Sequence, residues 1–333
     1  MKLIKVNNEY IKEIEEFKKE LIEANSSWDG CSLLQEYDDI HEWINWVSSL
    51  ESISYSKDEP NVVPTVQYIL IENDRILGMF NLRLLLYGIF KEYGGHIGYV
   101  IRPSERRKGY GVEGLKLLLG ECKKFHFDEI EVTAFSSNEG ALKTIQNNGG
   151  IFKEDFIYNN HSFKRYIIPL YFTVSNKRYE ILKYLGKGKG GYSYLASEDD
   201  KLVTLKKIHH EPCSYYNFGD KIQAEKLDYK RIQQTGIRIP KMILIDEVKE
   251  IIIKEYIDGP TIKELIDRGE NIDKYISQVQ EMARLCYNKN LNIDYYPTNF
   301  VVDNDLLYYI DYECNVYSDE WNLENWGLST WKK

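Results

Sequence analysis

Apolar and polar positions alternate with two different periods along this chain. In residues 9–23, Ile11, Ile14, Phe17, Leu21 and Ile22 recur near the 3.6-residue period among charged neighbours, which predicts an amphipathic helix. From Pro64 the period shortens. Residues 66–71 are an almost continuous apolar run, 72–75 are polar, and 76–86 are apolar again, which predicts a β-hairpin. A third strand is expected at 96–101, ended by Pro103. A helix follows at 112–125, with Leu115, Leu118, Leu119 and Cys122 as its stripe. A strand at 130–134, a helix over 138–148 stopped by Gly149-Gly150, and a strand at 163–172 complete this unit.

After residues 173–177, read as a linker, the texture becomes hairpin-rich. Strands are expected at 179–185, 192–196 and 202–208, then a helix at 220–234, strands at 242–245 and 250–256, and a helix at 272–288. A length of 333 residues also favours two domains. The division expected is 1–172 and 178–333, an α/β unit followed by an α+β unit.

Composition narrows the function. A net charge of −9, with acid in excess in both halves, argues against a nucleic-acid partner. No apolar run approaches the ~20 residues of a membrane span, and the N-terminus does not read as a signal peptide. Five cysteines are scattered without a C-x-x-C pair, which fits neither a zinc site nor a disulfide framework and points to the reducing cytoplasm. Oligomeric state is not legible.

The run Arg106-Arg107-Lys108-Gly109-Tyr110-Gly111 stands between an expected strand and an expected helix. Glycines let backbone N–H groups approach an anion, and a helix N-terminus favours negative charge, so this is the geometry of a pyrophosphate loop. The whole stretch 95–111 resembles the R-x-x-G-x-G signature of the GNAT superfamily of N-acetyltransferases. The segment from Asn138 through Ala141 to Gly150 is similar to that family's N-x-x-A helix. The resemblance implies a mixed-sheet fold, acetyl-CoA as cofactor and a small-molecule amine as acceptor. Val100 and Ile101 would bond the pantetheine arm through their backbone, with Asn138 also at the cofactor. His96 stands where many members carry a base-like carboxylate; it reads either as the general base or as a structural histidine. Seven positions past Asn138, where the family often has an acid tyrosine, this chain has Ile145, so Tyr99 or Tyr110 would have to substitute. The aromatic and acidic segment 28–59, with Trp43, Trp46, Asp38, Asp39, Asp58 and Glu59, lies where the family forms its acceptor pocket.

In the second half, Gly186, Gly188 and Gly191 sit in a hairpin, and Lys206 follows on the next strand. This setting resembles protein-kinase-like folds rather than a dinucleotide-binding turn. Glu225 is placed like the glutamate that pairs with the strand lysine, Asp294 and Asn299 reproduce D-x-x-x-x-N, and Asp311 follows. The resemblance implies ATP and Mg²⁺ as ligands, Asp294 as base, Asn299 and Asp311 as metal ligands, and residues 255–257, including Glu255 and Ile257, as the adenine hinge. Asp311-Tyr312-Glu313 is similar to aminoglycoside and choline kinases, and the short remainder makes this a truncated kinase-like domain. The alternatives are a nucleotide-sensing pseudokinase, a bifunctional aminoglycoside-modifying enzyme, or a non-enzymatic scaffold.

Overall fold

The computed structural model describes residues 1–53, 61–212 and 219–331, so Asp58, Glu59 and Cys213 lie outside the described residues. Two compact units emerge: residues 1–172 with 180–184, and 173–179 with 185–333.

The first unit runs β1 (Lys2–Lys5), α1 (Ile11–Glu23), α2 (Ile40–Leu50), β2 (Thr65–Glu72), β3 (Arg75–Arg83), β4 (Ile97–Ile101), α3 (Tyr110–Lys124), β5 (Glu129–Phe135), α4 (Glu139–Asn147), β6 (Ile151–Tyr158) and β7 (His161–Pro169). Strands β1 to β4 form one antiparallel sheet in sequence order, and β5-β7-β6 form a second. The β2–β3 turn closes on Asn73 and Asp74, both at positive φ, as a two-residue hairpin requires. Strand β2 reads as continuously apolar because both of its faces are covered. Ile69 and Ile71 pack with Ile14, Phe17 and Trp43 from α1 and α2. Tyr68 and Leu70 pack with Leu115, Leu118 and Cys122 from α3. Helix α3 comes close to β3 because residue 114 is glycine: a Cβ there would overlap the Phe80 ring, with Cε2 at 2.8 Å.

The chain continues with β8 (Tyr171–Val174) and β9 (Lys177–Lys187), of which 171–172 and 180–184 belong to the first unit, and the second unit goes on through β10 (Gly191–Glu198), β11 (Lys201–Ile208), α5 (Lys221–Gln233), β12 (Met242–Asp246), β13 (Ile251–Glu255), α6 (Ile262–Asp267), α7 (Asp273–Tyr287), β14 (Leu291–Ile293), β15 (Phe300–Asp303), β16 (Leu306–Tyr309), β17 (Cys314–Val316) and α8 (Leu328–Trp331). The six-stranded sheet here has the order β12-β13-β11-β10-β9-β8, and the β15-β16 hairpin and a two-stranded β14-β17 sheet that brackets it in sequence follow α7. A core of Ile262, Val279, Met282, Phe300, Tyr309 and Tyr312 holds α6, α7 and these strands together.

Two expectations are corrected, and β1 is a strand the sequence reading did not offer. Residues 173–177 are the end of β8, a tight turn on Ser175 and Asn176 at positive φ, and the start of β9, and not a linker. The strand expected at 163–172 is two strands, β7 and β8, and β6 pairs with β7 through an Asn159-Asn160 turn. The charged opening residues form β1, whose two half-buried positions are Leu3 and Ile4.

Candidate functional site

Strand β4 ends one sheet and β5 belongs to the other. They touch at one point: His96 N–H donates to Glu131 O at 2.8 Å, and Glu131 N–H donates to His96 Nδ1 at 3.0 Å. Beyond that point no ladder joins them, so the β4 edge from Ile97 to Ile101 is open on the β5 side. This edge supplies backbone donors and acceptors to an extended amide-bearing chain, as a sheet edge does for an added strand. Val100 and Ile101 lie on it. The Ile101 carbonyl already accepts Arg106 Nε at 3.1 Å.

The open edge leads into the loop at α3. Gly109 is the N-cap at φ 88°, and Arg107 also has positive φ, at 64°. The first bonds within the helix run from Val112 and Glu113 to Gly109 O at 3.0 and 3.2 Å. Tyr110 and Gly111 therefore present N–H groups with no carbonyl one turn behind them, where the helix dipole is positive. A Cβ on Gly111 would stand 3.2 Å from Thr144 Oγ1 and 3.6 Å from Tyr99 Cε2, so bare backbone fills that space. The loop's cations divide. Arg106 is tied to Ile101 O and Ser26 Oγ, and Lys108 pairs with Glu105 at 2.8 Å. Arg107 is exposed and has no ion pair among the described residues.

Residues 23–149 match the acetyltransferase (GNAT) family. This stretch is a GNAT domain. Half of the chain is similar to an acetyltransferase from Salmonella typhimurium that modifies the N-terminal serine of the 50S ribosomal subunit protein L7/L12. The identity is 13%, over 50% of this chain and 93% of that one, at TM-score 0.37. It is also similar to a chimera of the spermidine N-acetyltransferase SpeG from Vibrio cholerae, at 14% identity over 51% and 96% with TM-score 0.35. A third similar structure is yncA from Salmonella typhimurium with its cofactor acetyl-CoA, at 11% identity over 50% and 92% with TM-score 0.35. No curated relative matches the chain.

Within the GNAT domain, His96 is placed differently from a general base. Its Nδ1 lone pair accepts a backbone N–H, so the neutral ring carries its proton on Nε2 and has no lone pair left to take another. Burial, first among the causes, lowers its pKa. It clamps the two strands where they begin to splay, and the base expectation is corrected accordingly. Asn138 caps α4, its Oδ1 accepting from Ala141 N–H at 3.0 Å. Ile145 is wholly buried in the α3 core. Tyr99, in contrast, lies beside Gly111, stacks on Phe80 at 5.3 Å and hydrogen-bonds Thr144. Burial pushes the pKa of its phenol up, so it stays protonated.

The segment between α1 and α2 reaches β4 through Gly30, where a Cβ would meet Gly98 O and Tyr99 Cα at 2.5 Å. Buried Gln67 fixes it there, donating to Gly30 O at 2.8 Å and accepting from Ser32 Oγ at 2.7 Å. Ser32 also accepts from Asn81, whose Oδ1 takes the Gly98 N–H at 3.0 Å. Gly30, with exposed Asp29 before it in the chain, and Arg83, on β3, thereby meet at Gly98. Sequence reading missed Asp29 and Arg83, since neither belongs to a motif.

In the second unit, Lys206 Nζ is paired with Glu225 on α5 and lies 3.8 Å from Asp311 Oδ1. Burial pulls the Lys206 pKa down, but Glu225 and Asp311 raise it on balance. Gly190 lies over this pair, its Cβ position 3.3 Å from Lys206 Nζ. Gly191 abuts the Lys207 carbonyl, Gly186 has φ 150°, and Gly188 N–H donates to Gly191 O at 3.0 Å. Asn299 donates to the Asp294 carbonyl at 3.3 Å, and Ile310 N–H donates to Asn299 O at 2.9 Å, so Asp294, Asn299 and Asp311 share one locality. Glu255 ends β13 and holds Lys241 N–H at 3.1 Å, and Ile257 is buried just beyond. Lys254, also buried, bonds Ile310 O, and its pKa falls to about 8 through burial and the charge of Lys206. No group of three or more His, Cys, Asp or Glu that could hold a metal occurs among the described residues, and no helix there is long and apolar enough to cross a membrane. Cys31, Cys122, Cys286 and Cys314 are buried and free.

Proposed function

We propose that the first unit is an acetyl-CoA-dependent N-acetyltransferase acting on an amine. The observation that carries this is the open β4 edge leading directly into the unpaired N–H groups at Tyr110 and Gly111. The residues fit the cofactor: an amide-bearing arm finds backbone partners along Ile97–Ile101, and a pyrophosphate finds N–H groups, Arg107 and room at Gly111. Bound acetyl-CoA supplies the thioester that the amine attacks. Tyr99 would be the group that gives a proton to the departing thiolate, supported by its place beside Gly111 and by a phenol that burial keeps protonated. The test is calorimetric titration of the full chain with acetyl-CoA, followed by thiol release with amine acceptors. Micromolar binding is expected; no binding contradicts the proposal.

For the second unit we propose a kinase-like fold that binds ATP. Support comes from the Lys206–Glu225–Asp311 constellation, with the glycine hairpin above it. An amide oxygen on Asn299 and the Asp311 carboxylate are hard donors suited to Mg²⁺, and Asp294 is the residue that would accept a hydroxyl proton. Phosphate transfer to a small acceptor predicts ATP consumption that Asp294→Asn abolishes. ATP binding without turnover under any acceptor favours the sensing pseudokinase.

A further inference from the structure

The acceptor side of β4 carries two charges of opposite sign, Arg83 and Asp29, neither of which has an ion pair among the described residues. Arg83 spends Nη1 on the carbonyls of Gly94 and Gly95, at 3.0 Å each, and rests over the Phe90 ring at 4.4 Å. Its Nη2 makes no bond among the described residues and stands 2.9 Å from where a Cβ on Gly98 would be. The Gly30 nitrogen also stands 2.9 Å from that point, and Asp29 precedes it in the chain. The Asp29 carboxylate is exposed and has neither a hydrogen bond nor an ion pair among the described residues. Burial brings the Arg83 pKa down to about 10, and Asp29 is the first charge to oppose that shift, so the two groups sense each other without closing a salt bridge. Asp29 also raises the Tyr99 phenol.

A guanidinium against Gly98 and an exposed carboxylate one residue from Gly30, which form no salt bridge with each other, are complementary to a ligand carrying both charges. Resting on the acetyltransferase reading above, we propose that the acceptor is a zwitterion of the α-amino-acid class, with Asp29 holding its ammonium and Arg83 its carboxylate. The ammonium first gives one proton to water. The free amine then attacks the thioester carbonyl, the N–C bond forming as the C–S bond breaks. The nitrogen sheds its second proton, and the thiolate takes up one. The product amide is neutral at nitrogen, so the attraction to Asp29 disappears on transfer while that to Arg83 remains. Gly98 belongs to this arrangement, because a Cβ there would stand 2.9 Å from both Arg83 Nη2 and the Gly30 nitrogen and 3.0 Å from Asn81 Oδ1.

Matched acceptors test this on the full chain: tyrosine against tyramine, tryptophan against tryptamine, and lysine against cadaverine, with thiol release and product mass as readouts. At least one amino acid is expected to exceed its decarboxylated partner tenfold or more in kcat/KM. Arg83→Gln should bring that ratio close to one. Arg83→Lys keeps the charge, guards against a folding defect from the lost Gly94 and Gly95 bonds, and should retain part of the preference. Amines that match or beat their amino acids, a ratio that survives Arg83→Gln, or acetyl-CoA binding with no turnover of either class overturns the proposal. A chain that binds no acetyl-CoA fails earlier and removes the acetyltransferase reading with it.

Discussion

Beyond its first turn, helix α3 carries two glycines, Gly114 and Gly120, whose replacement by alanine should have opposite effects. Gly120 is exposed, and a Cβ there meets nothing within 4 Å. Gly120→Ala therefore gains the helix propensity that glycine forfeits, about 0.5–1 kcal/mol. At Gly114 the same gain is opposed by the Phe80 ring, whose Cε2 and Cε1 would lie 2.8 and 3.1 Å from the new methyl. Overpacking of this kind costs roughly 1–3 kcal/mol, and three ring carbons in conflict favour the upper end. Gly114→Ala should then destabilise by about 2 kcal/mol net, leaving about 3 kcal/mol between the two variants. In calorimetric melting that difference corresponds to roughly 6–12 °C in the transition of the first unit. Phe80 also stacks on Tyr99, so Gly114→Ala should weaken acetyl-CoA binding as well. Phe80→Leu should relieve the conflict, the double variant being at least about 1 kcal/mol better than additivity predicts. Two variants that both stabilise, or a double variant that is merely additive, would refute this packing.

His96 has its pKa lowered in the fold, so the native state binds fewer protons than the unfolded chain below the ordinary histidine pKa of about 6.5. Its contribution to stability is complete above that pH and is lost as the pH falls from there toward the lowered value; His209, lowered by burial, adds to the same slope. Melting at pH 7.5 and 5.5 should show the loss, and His96→Gln should reduce it. Asn138→Ala removes the α4 cap and is expected to cost about 1 kcal/mol, read by urea denaturation. Lys206→Met should abolish ATP binding in a thermal-shift assay and leave acetyl-CoA binding in place; retained ATP binding would count against the kinase-like reading.

Where one period dominated, the elements were legible: α1, β2 and β3, α3, α5 and α7 lie within a few residues of their expected spans. The phosphate loop was legible because glycines, cations and a strand-to-helix transition coincide over six residues. The strands β6 and β14 to β17 were missed, the latter because three or four residues are too short to establish a period. The turn at Ser175 and Asn176 was read as a linker because small polar residues mark both, and only positive φ separates them. His96 shows the limit at a site. Its place on the strand was legible, but which ring nitrogen is engaged depends on Glu131, 35 positions away. Asp29 and Arg83 were invisible for the same reason: Gly30, with Asp29 before it, and Arg83 meet at Gly98 only because Gln67, Ser32 and Asn81 fasten a loop to the sheet.

The claim that Arg106–Gly111 is a cofactor loop is tested most directly at Gly111. An aspartate there would place a carboxylate about 5 Å from a bound phosphate and a Cβ against Thr144. At an effective dielectric of about 20 the repulsion is about 3 kcal/mol per phosphate charge, or on the order of 100-fold in affinity. Titration of acetyl-CoA into the full chain should show binding that Gly111→Asp weakens at least that much while the fold persists. Binding that Gly111→Asp leaves unchanged would contradict the account.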